Sequence, residues 1–100
     1  MFKPRPGKVL PVNREMAETL ALQALGFLAG DAPRLGRFLA LTGLEAEDLR
    51  ARAGSSDVLA AVLAHLLADE SLLLMFTSET HIEPERIAPA LEILQREAGP

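Results

Sequence analysis

One hundred residues, 49% of them apolar, suit a single domain with one modest core. The absence of cysteine excludes disulfide scaffolds, thiolate metal sites and cysteine nucleophiles, and two histidines with no tyrosine or tryptophan leave few groups for catalysis or base stacking. A net charge of −4 weighs against nucleic acid as an obligatory partner, although residues 1–50 sum to +1 and residues 51–100 to −5.

Leucine (19) and alanine (16) outnumber Val, Ile and Thr together (11), which favours helix over sheet because unbranched side chains lose the least rotamer freedom in a helix. Residues 1–12 hold three prolines and the cations Lys3, Arg5 and Lys8, and read as a flexible, basic tail. A first helix is predicted from Arg14 to Ala29, with Asn13 as cap and Gly30 as stop. Its stripe is Ala17, Leu20, Ala21, Ala24, Phe27 and Leu28, widened by Leu22 and Leu25, so this helix should be central. Asp31 opens a second helix that turns Leu35, Phe38, Leu39 and Thr42 inward and stops at Gly43.

Leu44 and Leu49 form a hydrophobic staple around Glu45, starting a short third helix that ends at Gly54. Ser55 or Ser56 caps a fourth, striped by Val58, Leu59, Val62, Leu63, Leu66 and Leu67. Asp69 starts a fifth that reaches Thr80, and Ile82 and Ile87 repeat the staple around Glu83. The sixth carries Ile87, Leu91 and Leu94, with Pro89 implying a kink or a late start. No uninterrupted apolar run reaches 18 residues, and no apolar segment follows the basic start. Neither a membrane span nor a signal peptide is read, and a soluble cytoplasmic protein is expected.

A shift of 38 residues aligns Leu28–Leu49 with Leu66–Ile87 and makes seven identities: Leu28/Leu66, Asp31/Asp69, Leu35/Leu73, Phe38/Phe76, Thr42/Thr80, Glu45/Glu83 and Glu47/Glu85. They fall on caps, core positions and the staple. The fold class expected is therefore all-α: a compact bundle of five or six short helices within residues 13–98, as two similar three-helix units near 20–53 and 58–91. Under this alignment Arg34, Gly36 and Arg37 correspond to Leu72, Leu74 and Met75. The second unit thus carries surplus apolar surface, a candidate patch for self-association or for a protein partner.

Chemistry finds little support. His65 and Asp69, four apart on a helix, read as a surface pair or a cap, and His81 in the place of Gly43 reads as a helix-ending residue. No cofactor or metal site is expected, because no third ligand or nucleophile is spaced to either histidine. Ser55-Ser56 reads as capping, and the segment GDAPRLG lacks the strand and the Lys-Ser/Thr pair of a phosphate loop. Residues 34–53 could be drawn as a helix-turn-helix, but Glu45, Glu47 and Asp48 would lead the reading helix and repel phosphates. The remaining polyanion route joins Lys3, Arg5 and Lys8 to Arg34 and Arg37 as a weak, salt-sensitive patch. The reading is a non-catalytic interaction or self-association module, with a weak nucleic-acid-binding accessory protein as the alternative.

The run ALQALGFLAGDAPRLGRFLALTGLEAEDLRARAG, followed by VLAAVLAHLLADESLLLMF, resembles a family of small all-helical alphaproteobacterial proteins classed as a domain of unknown function. The resemblance covers residues 15–95, its most specific part being LGRFLALTGL with the following E-x-E-D-L-R; the tail lies outside it, and Pro89 is not among the residues that carry it. It implies a compact helical domain in the cytoplasm and brings no activity, cofactor or binding residue with it.

Overall fold

A computed structural model of the chain describes residues 11–98. The Asn13 side chain accepts from the Met16 amide at 2.8 Å, and behind that cap α1 runs over Arg14–Ala29. There follow α2 (Ala32–Thr42), α3 (Ala46–Arg52), α4 (Ser56–Leu67) and α5 (Glu70–Thr80). A 3-10 turn, Pro84–Arg86, leads directly into α6 (Ile87–Ala98). Among the described residues the protein is an all-α bundle of these six helices, without strands. Pro89 falls in the first turn of α6, where its missing donor costs no helical hydrogen bond, so the late start is observed.

Three hydrogen bonds of α2 recur in α5 at an offset of 38 residues: the aspartate cap, the threonine bond to the phenylalanine carbonyl and the bond of the helix-ending amide. Asp31 and Asp69 each accept from the third amide of their helix, Arg34 and Leu72, at 3.1 Å. Thr42 and Thr80 each donate to the carbonyl of the buried Phe four residues earlier, at 2.8 and 2.7 Å. Gly43 and His81 end the two helices in the left-handed region, at φ 78 and 59. The correspondence also reaches back into α1 and α4, where the amides of Gly30 and Ala68 close onto Gly26 and Ala64.

Tertiary packing brings α1, α4 and α6 together as the central layer. Ala17, Ala21, Ala24 and Ala90 are wholly buried there; their small side chains permit close approach of the helices, while Leu28, Val62, Leu63, Leu66, Ile87 and Leu94 fill the space between them. The two outer helices each insert one phenylalanine. Phe38 of α2 packs T-shaped with His65 on α4, ring centroids 5.2 Å apart, and Phe76 of α5 packs with Phe27 on α1 at 5.3 Å. Since 27 and 38 become 65 and 76 under the same offset, each contact maps onto the other when the two halves are exchanged. Burying each phenylalanine contributes about 2–3 kcal/mol, against about 1 kcal/mol for each cap, so the aromatic insertions fix where α2 and α5 lie.

The halves part company at their third helices. Helix α6 packs on both α4 and α1, whereas α3 touches its neighbours only lightly and buries Leu49 alone. Four other positions differ from expectation, among them Leu67, which falls at the end of α4 and is exposed rather than part of its buried stripe. Leu22 is 48% exposed, because the face of α1 that is buried carries Ala17, Leu20, Ala21, Ala24 and Leu28 and does not extend to it. Thr42 faces solvent, its hydroxyl bonded to the backbone of its own helix. Ser55 occupies the cap position of α4, yet its hydroxyl donates backward to the Arg52 carbonyl at 2.8 Å rather than accepting from α4. Among the described residues no single helix is long and apolar enough to cross a membrane, and α4 and α5, apolar enough in sum, are bent by 108° at their junction.

Candidate functional site

Helix α5 presents the candidate apolar patch in two parts. Leu72 is half-buried and packs against the core. Leu74 and Met75 are 48% and 43% exposed. Glu70, Ser71, Ser78 and Glu79 surround them on the outer face, all exposed, so the apolar pair sits in an acidic and polar frame. Phe76, next in the chain, points the other way into the core.

Of the candidate polyanion contacts, Lys3, Arg5 and Lys8 lie outside the described residues. Arg34 is half-buried: its guanidinium carbon lies 4.2 Å above the Phe27 ring, and its Nη2 is 2.8 Å from the Met75 sulfur. That stacking, worth about 1 kcal/mol, ties α2 to α1 and α5 and takes Arg34 from the surface. Arg37 remains exposed. The structure therefore joins one member of each candidate set, Arg34 and Met75, and leaves Arg37 as the exposed cation of α2.

His65 is not a surface pair or a cap. It is 9% exposed, its ring packs T-shaped with that of Phe38, and its Nε2 has no hydrogen-bond partner among the described residues. Burial holds the imidazole below its ordinary value, Arg37 adds to that effect, and Asp69 opposes it. The offset alignment carried the missed signal, since it places His65 opposite the aromatic Phe27. The described residues hold no group of three His, Asp or Glu side chains placed to bind a metal ion.

A cavity of about 390 Å³ opens between the start of α1 and the α5–α6 connection. Met16, Leu20 and Ile82 line its apolar wall, and Thr19, Gln23 and Arg86 supply polar groups. The sequence marks Leu20 as core and Ile82 as a staple, and gives Met16, Thr19, Gln23 and Arg86 no role. The available signal was Arg86, a cation in the first turn leading into α6, where the helix dipole disfavours positive charge.

No curated protein and no solved structure gives a significant match to the chain. A family model does match residues 14–97, from the first residue of α1 to the last turn of α6. The chain thus belongs to the family described as Protein of unknown function (DUF3572).

Proposed function

We propose that the protein is a non-catalytic helical module of the cytoplasm that associates with a second copy of itself through the outer face of α5. The observation that carries this reading is the exposure of Leu74 and Met75, at the positions where α2 has Gly36 and Arg37. Leu74, and the part of Met75 not covered by Arg34, keep a hydration cost that association would remove. Charge argues for a second copy as the occupant. Glu70 and Glu79 flank the apolar pair, while α2 exposes Arg37, which has no ion-pair partner among the described residues, beside Leu41 at 65% exposure. An α5 face set on the α2 face of another molecule would match anions to a cation and leucine to leucine.

Sedimentation equilibrium of the wild type and of Leu74→Glu tests this. The expected result is a concentration-dependent oligomer for the wild type and a folded monomer for the variant, with an unchanged melting temperature. A wild type that stays monomeric overturns the reading. So does a variant that loses its fold, because Leu74 would then belong to the core.

A further inference from the structure

Arg86 is placed against the local rules of the fold. Its counterpart at the 38-residue offset is Asp48, whose carboxylate accepts from the Glu45 amide at 3.0 Å and has the charge a helix start favours. Arg86 performs no such service. Its side chain is only 18% exposed, its Nε is buried without a hydrogen-bond partner among the described residues, and its Nη1 lies 3.9 Å from the largely exposed carboxylate of Glu83. The Nη2 faces the Met16 thioether at 3.6 Å, a weak acceptor. Nε and Nη2 form one edge of the guanidinium, and that edge carries two parallel N–H groups with no oxygen to receive them. A largely desolvated cation so poorly paired, at a helix start, is a cost with no structural return.

The wall facing it gives the cost a purpose. Met16 and Arg86 both line the 390 Å³ cavity, whose other walls are Leu20 and Ile82 with Glu15, Thr19 and Gln23. The volume lies in the range of small-molecule sites and would hold about ten non-hydrogen atoms. We propose that this cavity binds a small organic monoanion: a carboxylate held side-on by Nε and Nη2 of Arg86, with an apolar body against Met16, Leu20 and Ile82. The flexible Met16 side chain turns aside to admit the carboxylate. Glu15 at the lining and Glu83 behind the guanidinium select against doubly charged anions such as phosphate. This site is separate from the α5 face and does not depend on it.

Titration calorimetry of the full chain with octanoate, octanol and inorganic phosphate tests the proposal. Octanoate should bind saturably at one site per chain, with octanol at least tenfold weaker and phosphate undetected. Arg86→Gln should weaken octanoate at least tenfold. Met16→Glu is the second variant: glutamate suits the first turn of α1, and its carboxylate would satisfy Arg86 from within. It should keep or raise the melting temperature while abolishing octanoate binding, so it decides the matter even if Arg86→Gln does not fold. No octanoate binding to the wild type overturns the proposal, as does undiminished binding to Met16→Glu. Phosphate binding as tight as that of octanoate would show a bare anion site and overturn the assigned ligand class.

Discussion

The two left-handed helix ends offer an internally controlled test of how backbone strain is distributed. Gly43 and His81 hold equivalent positions, at φ 78 and 59, and both are exposed. An L-residue in this region costs about 1–2 kcal/mol, at the lower end for histidine, while glycine's extra freedom in the unfolded chain takes back roughly 0.5–1 kcal/mol. His81→Gly should therefore stabilise by about 0.5 kcal/mol, a rise in melting temperature of about 3 °C in a domain of this size. Gly43→Ala should destabilise by about 1 kcal/mol. A Cβ built there meets nothing within 4 Å, so no clash contributes and the change reports backbone strain net of the unfolded-chain entropy. Urea unfolding followed by circular dichroism gives both values from the shift in midpoint at constant slope. If His81→Gly lowers stability, the imidazole makes an interaction that the structure does not show and the strain argument fails. If Gly43→Ala is neutral, the left-handed cost has been misassigned.

Two further outcomes follow from the same geometry. Asp31→Ala and Asp69→Ala should each cost about 1 kcal/mol, because both caps accept at the same distance; urea midpoints differing by more than about 1 kcal/mol would show that the two helix starts are not equivalent. His65 has a folded-state pKa below its unfolded value, so the unfolded chain takes up the proton more readily as pH falls. Its contribution should be fully present above the ordinary histidine value, about 6.5, and decline as pH drops through that value toward the folded one. Midpoints measured from about pH 7.5 to about pH 5 should show this decline in the wild type and a smaller one in His65→Phe; equal declines would clear His65 as the source.

The helices, their caps and their stops were legible in the chain because each depends on residues within about four positions of one another. Asn13, Asp31 and Asp69 accept from amides three residues on, and Gly43 and His81 end helices through their own backbone conformation. At the 38-residue offset the Asp31 and Asp69 caps coincide, as do the buried Phe38 and Phe76. Periodicity could not say which apolar faces would find cover, because that depends on helices far away in the chain. Leu22 reads as part of a buried stripe and Leu72 as surplus, yet Leu22 is exposed and Leu72 packs on the core.

The same reason explains the errors at polar residues. His65 looked like a surface group until Phe38, 27 positions earlier, was seen against its ring, and Arg34 looked free until Phe27 and Met75 were found around it. Met16 and Arg86 are 70 residues apart, and no local pattern joins them across one cavity. Sequence alone determined the local conformations, where hydrogen bonds reach a single turn. Only the tertiary structure decided the surroundings of each side chain, because burial and pairing are properties of packed helices, and packing joins residues that the chain keeps far apart.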